Sequence, residues 1–203
     1  MSAKIEQVPA AAVNTWIVGD DEEVIVIDPG SDAAAVLHAV GEREVLAVIC
    51  THGHPEHVAA AVDVADRDAA QIALHPLDRV RWREAHPGED AGIEMADGGI
   101  FEVADVQLEV IHSPGHSPGS VCLYCEDLGA VFTGHTLLAT GPATHDGEFP
   151  DFAGQLTAIG EQLLTLPAGT RVLPGSGGEI TVAAAEKMFD SWVTAGPVVR
   201  DAQ

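Results

Sequence analysis

The apolar residues of this chain fall into short runs separated by Gly, Pro and acidic turns. Thr15-Trp16-Ile17-Val18 and Val24-Ile25-Val26-Ile27, with Gly19-Asp20-Asp21 between them, predict a β-hairpin. Asp28-Pro29-Gly30 ends the second strand, and Ser31 or Asp32 can cap a helix running to about Val40. The short continuous run from Val45 to Cys50 reads as a buried strand. A helix of small apolar residues follows from about Glu56 to Asp66, and Gln71-Ile72-Ala73-Leu74 is the next strand. Strand, helix, strand, helix, strand predicts crossovers packed on a sheet.

The pattern then changes. A short helix from Asp78 to Ala85 holds Arg79, Arg81 and Arg83, which read as a solvated face, and 87–99 reads as a surface loop. Strands at 100–103, 106–111, 120–125 and 130–133 are joined by turns and are expected to be antiparallel. Ser113-Pro114-Gly115-His116-Ser117-Pro118-Gly119-Ser120 interrupts them as a rigid loop presenting His116. A loop over 137–150 carries His145 and Asp146 and could act as a lid. A helix over 151–165, a strand Arg171-Val172-Leu173, the loop Pro174-Gly175-Ser176-Gly177-Gly178 and a helix over 181–194 complete the chain. No linker is evident, so residues 1–203 are expected to form one domain.

Composition narrows the partners. A formal charge of −23 with only nine Lys plus Arg argues against nucleic acid and against anionic membrane surfaces. A small-molecule substrate is expected, with the protein a monomer or homodimer. Cys122 and Cys125 form a C-x-x-C on a strand, where residues three apart point to opposite faces, so the pair reads as structural. Free thiols, a start without a signal-type apolar segment and the lack of any membrane-length run predict a cytoplasmic location.

The chemistry concentrates in Thr51-His52-Gly53-His54-Pro55-Glu56-His57, at the end of the 45–50 strand, with Pro55 suited to a first helical turn. Neutral imidazoles converging at a strand end suit a divalent metal better than a packing role. His38, His75, His86 and His112 lie in helices, loops or strand ends and read as ordinary.

T-H-G-H-P-E-H, S-P-G-H-S-P-G-S, V-F-T-G-H-T-L and L-P-G-S-G-G, in that order after Asp28-Pro29-Gly30, resemble the metallo-β-lactamase superfamily, in its small glyoxalase II-like branch. The resemblance runs from about Thr15 to Trp192 and implies an α/β (α+β) fold: a four-layer αββα sandwich of two mixed sheets flanked by helices. It also implies that His52, His54 and His116 bind metal one. Glu56 stands where the family has an aspartate ligand for metal two, and His57 matches that metal's histidine. His135 stands where an aspartate bridges the metals, Ser176 where a final histidine completes metal two, and Asp28 matches a supporting acidic residue.

These departures all touch metal two. A neutral imidazole has one free lone pair and cannot bridge two cations as a carboxylate does, and a serine hydroxyl is a poor ligand. One metal is therefore expected, with His135 either a ligand or a hydrogen-bond donor behind one. Glu56 and His57 would then be free to act as general base and orienting partner. Zn²⁺ is the expected ion, with Fe or Mn as alternatives. The expected reaction is hydrolysis of a thioester, ester or lactone by metal-bound hydroxide. The alternatives are a mononuclear iron enzyme of oxidative or lyase type, and a non-catalytic scaffold.

Overall fold

The computed structural model describes residues 2–8, 13–144 and 151–197. Strands β1 (Lys4–Val8), β2 (Thr15–Gly19), β3 (Glu23–Ile27), β4 (Glu44–Ile49), β5 (Gln71–Leu74) and β6 (Ile93–Glu94) form one six-stranded sheet in that order. β1, β2 and β3 run antiparallel, and β3 to β6 run parallel. The second six-stranded sheet has the order β12-β11-β10-β9-β8-β7, from β7 (Ile100–Val103), β8 (Val106–His112), β9 (Val121–Cys125), β10 (Ala130–Gly134), β11 (Arg171–Pro174) and β12 (Ile180–Thr181). Only its β10–β11 pair is parallel.

Alternation within each apolar run decides the layering. Trp16, Ile25, Ile27 and Ile49 face Leu108, Leu123, Phe132 and Leu173 across the space between the sheets. The intervening residues of the first sheet, Ile17, Val24, Val26 and Val48, face outward. They meet helices α1 (Ala33–Val40), α2 (Pro55–Val58), α3 (Ala61–Asp66) and α4 (Arg79–Ala85) through residues such as Val36, Val64 and Trp82. On the other side Cys122, Val131 and Val172 pack against Ile159 and Leu163, in the turn that follows α5 (Phe152–Ala158), and against Val182 of α6 (Val182–Ala195). The central strands β2, β3, β4, β9 and β10 are thus covered on both faces, which is why they read as continuous runs, whereas β8 alternates between buried and exposed residues. The result is the expected αββα sandwich. Cys122 and Cys125 belong to different clusters on opposite faces of β9, as their spacing requires.

Several boundaries differ from expectation. The helix expected over 56–66 is broken, because the Ala60 N–H donates to the Gly30 carbonyl (2.8 Å) instead of continuing one helical ladder. The helix expected over 151–165 is α5 followed by a π-helical turn, Ile159–Leu163, closed by Leu164 N–H to Ile159 O at 2.9 Å. Edge strands β1, β6 and β12 were not foreseen. β6 and β12 are two residues each, β6 lies inside the expected 87–99 loop, and all three are held by backbone pairing to a neighbour rather than by an apolar pattern. Residues 145–150, with the expected lid residues His145 and Asp146, lie outside the described set. No helix among the described residues is long and apolar enough to cross a membrane.

All three cysteines are free and buried. Burial raises the thiol pKa at each: Cys50 well above its usual value, with Asp28 adding to the effect, Cys122 to about 11, and Cys125 upward as well. Because the thiolate is the reactive form, the folded protein is expected to show no rapid reaction with Ellman's reagent at pH 8, and three equivalents after denaturation. A fast thiol in the native state would contradict this placement.

Candidate metal centre

Five imidazoles meet where strand ends of the two sheets gather. His52 and His54 lie in the turn after β4, His57 in α2, His116 in the β8–β9 loop and His135 directly after β10. The first four are at most 1% exposed, and His135 is half-buried. The His52 ring centroid lies 4.2 Å from that of His57, 4.8 Å from His54, 4.9 Å from His116 and 5.2 Å from His135. His54 Nδ1 and His116 Nε2 are 3.0 Å apart, and His57 Nε2 and His135 Nε2 are 3.2 Å apart. Two groups, His52-His54-His116 and His52-His57-His135, each offer three nitrogens within 4.8 Å of one another.

Neighbouring atoms decide which ring nitrogens carry protons. Asp28 Oδ1 accepts from the Thr51 N–H, and Oδ2 accepts from the Thr51 hydroxyl, both at 2.7 Å. The Thr51 oxygen, its proton already given away, is left to accept from His52 Nδ1 at 3.0 Å. Asp28 Oδ2 also accepts from His57 Nδ1 at 3.1 Å, and the Ala143 carbonyl accepts from His116 Nδ1 at 3.3 Å. With Nδ1 protonated, His52, His57 and His116 each keep a lone pair on Nε2. The His52 Nε2 is buried without a hydrogen-bond partner. Burial first, and then the four surrounding imidazoles, hold the His52 pKa well below the usual histidine value, so it stays in the neutral, coordinating form.

This donor set fits a divalent metal. A tetrahedral zinc–imidazole centre separates its nitrogens by roughly 3.3 Å, close to the 3.0 and 3.2 Å found here. An orphaned buried nitrogen facing other imidazoles is costly unless an ion takes its lone pair.

Two further side chains hold the ligand loops. Asp78 is completely buried; its carboxylate accepts from Gly53 N–H (2.8 Å), Ser117 Oγ–H (2.6 Å) and Gly119 N–H (2.7 Å), tying the His52–His54 turn to the His116 loop. Gln155, also buried, donates from Nε2 to the carbonyls of His135, Thr136 and Ala143 at 3.1, 2.9 and 3.3 Å. The two sheets approach here at Gly134, with φ +48°, where a Cβ would lie 2.3 Å from Thr51 Oγ1. At Gly175 a Cβ would lie 2.8 Å from His57 Cε1.

The structure thus brings together His52, His54, His57, His116, His135 and Asp28. Glu56 is exposed on α2, and His57 Nδ1 pairs with Asp28 of the segment after β3 rather than with Glu56. Ser176 is half-buried, one residue beyond Gly175. His75 and His112 stack on each other outside the cluster, with centroids 4.3 Å apart, and His86 anchors α4 to α2 through the Val58 carbonyl at 2.9 Å. Thr51, Asp78 and Gln155 were missed. Asp78 stood in the sequence as an ordinary helix-starting acid after Pro76, and nothing near Gln155 marked it.

The profile of the metallo-beta-lactamase superfamily matches residues 8–175. The chain belongs to that superfamily. A superfamily relative from Bacillus subtilis (strain 168), the probable metallo-hydrolase YqgX, is 31% identical over 83% of this chain and 87% of its own. The hydroxyacylglutathione hydrolase GloC of Haemophilus influenzae (strain ATCC 51907 / DSM 11121 / KW20 / Rd) is 26% identical over 90% of this chain and 93% of its own. Among solved structures of the superfamily, the BLEG-1 B3 metallo-beta-lactamase superposes with a TM-score of 0.80 at 26% identity, covering 91% of this chain and 97% of that one.

Partners that orient ligating histidines typically contribute 10–100-fold in metal affinity. Asp28→Asn, which presents a donor where His57 Nδ1–H needs an acceptor, is expected to weaken metal binding by about that factor in a competition titration with a chelator. Asp78→Ala leaves the buried Gly53 and Gly119 N–H groups unsatisfied and is expected to cost about 3 kcal/mol in urea unfolding. An unchanged midpoint would contradict the role given to Asp78.

Proposed function

We propose that this protein is a metal-dependent hydrolase of a thioester, ester or lactone, working with one divalent cation held by His52, His54 and His116. The observation that carries the single ion is the His52 lone pair. Both three-imidazole groups include His52, its Nδ1 is engaged by Thr51, and Nε2 can bind only one cation. An ion held by His52, His54 and His116 leaves the second group two imidazoles and, among the described residues, no bridging carboxylate to offset the repulsion between two cations. Zinc is the ion best suited to such a neutral nitrogen set; iron and manganese are the other candidates.

When bound, the metal polarises a carbonyl oxygen and brings a water proton into reach near pH ~7. The chain supplies the rest. Asp28 fixes the His57 tautomer so that Nε2 faces the cluster as a base oriented by a carboxylate. His135, its Nε2 3.2 Å away and its ring half-open, offers the next stop for a proton moving toward solvent. The relatives named as a metallo-hydrolase and as a hydroxyacylglutathione hydrolase support acyl hydrolysis over other chemistry.

Mass spectrometry on untreated protein is expected to give about one metal per chain, with His54→Ala and His116→Ala losing it. His57→Ala is expected to retain the ion and to lose at least ~100-fold in kcat on an acyl-ester panel, the usual scale of general-base catalysis. Combining His135→Asp with Ser176→His is expected to raise the content toward two. Two tightly held equivalents in the wild type would overturn the single-ion reading.

A further inference from the structure

The sequence has 32 Asp plus Glu against nine Lys plus Arg, so a basic side chain finds a carboxylate almost anywhere on the surface. Arg43 pairs with Glu6, Arg67 with Asp68, Arg79 with Glu94, Arg83 with Asp90 and Arg171 with Glu179. Among the described residues Arg81 is the one arginine with neither an ion pair nor a hydrogen bond, although it is half-buried.

Its position gives that vacancy meaning. A Cβ built on Gly53 would lie 3.1 Å from Arg81 Cβ and 2.7 Å from the Asp78 carbonyl. The backbone of α4 therefore rests against the turn that carries His52 and His54, and the Arg81 stem starts at the wall of the metal centre. Leu77 and Val80, 58% and 75% exposed, stand on the same stretch of chain and add apolar surface beside it. With its stem packed against Gly53 and no protein partner for its guanidinium, Arg81 can offer an anion hydrogen bonds in bidentate form. With a formal charge of −23, the field of the whole protein opposes anion binding. Among the described residues, an arginine without a partner on the helix packed against the ligand turn is the feature that holds an anion against it.

We propose that Arg81 is the anion-recognition residue of this centre, and that the substrate is an acyl compound carrying a carboxylate or phosphate away from the bond that breaks. The proposal rests on the hydrolase reading for its reaction, and on Arg81 alone for its specificity.

The test compares a matched pair of esters, monophenyl succinate and phenyl butyrate, on the metal-loaded protein. Arg81→Ala is expected to lower the ratio of kcat/KM for the anionic over the neutral ester at least tenfold, chiefly through KM. Arg81→Lys is expected to restore part of it, and Arg83→Ala to leave the ratio unchanged. Calorimetric titration with succinate and with inorganic phosphate gives a second readout that needs no turnover. Arg81→Ala is expected to weaken at least one of the two anions tenfold at equal metal content, and the anion affected identifies the group recognised. If no variant cleaves either ester, the hydrolase reading fails while the titration still decides Arg81. If Arg81→Ala leaves both anion affinities and, where turnover occurs, the ester ratio at wild-type values, Arg81 is not the anion site.

Discussion

The carboxylate of Asp28 is the constraint on which the rest of the centre depends. It sits at the end of β3 in a left-handed conformation (φ 49°) that a non-glycine residue adopts only when its surroundings hold it there. Both of its backbone groups are engaged, the N–H by Ile49 O at 2.9 Å and the carbonyl by the Thr15 hydroxyl at 2.7 Å. The side chain is thereby aimed under the turn after β4, where it reaches Thr51 and His57 together. Through Thr51 it also sets the His52 ring. One acid at a strand end thus determines where two imidazoles present their lone pairs.

The centre is built largely from neutral donors, and that choice follows from its depth. A charged ligand this far from solvent would need compensation whether or not an ion were present. An imidazole in its neutral form needs only a hydrogen bond on its far nitrogen, and Thr51, Asp28 and Ala143 supply those. Among the described residues the two buried acids, Asp28 and Asp78, each accept from three donors, so they organise loops without displacing the imidazoles.

What was legible beforehand was whatever has a local signal. The central strands, α1, α6 and the H-x-H-x-x-H turn are written in runs, caps and motif spacing that survive without tertiary context. Asp32 and Thr181 cap as their side chains allow. The edge strands β1, β6 and β12 were not legible because backbone pairing, not side-chain pattern, holds them. The roles of Glu56 and Asp78 were not legible for a related reason: an acid beside a motif and an acid at a helix start look alike until packing decides which one is buried. The sequence placed Glu56 next to His57, but one residue along a helix turns a side chain through about 100°, and that rotation sends Glu56 to solvent. Gln155 acts from α5 on the carbonyls of His135, Thr136 and Ala143, a relation that no spacing encodes.

The approach of the two sheets at Gly134 and Gly175 has a bearing on how such a chain can vary over evolutionary time. With 2.3 Å to Thr51 Oγ1 at one and 2.8 Å to the His57 ring at the other, even a methyl group would wedge the halves apart. The acidic exterior can drift residue by residue, and a half-buried side chain such as that at position 135 has room for another chemistry. These two hydrogen-bearing α-carbons form a seam that admits no alternative occupant, so divergence of reactivity in this scaffold has to proceed around them.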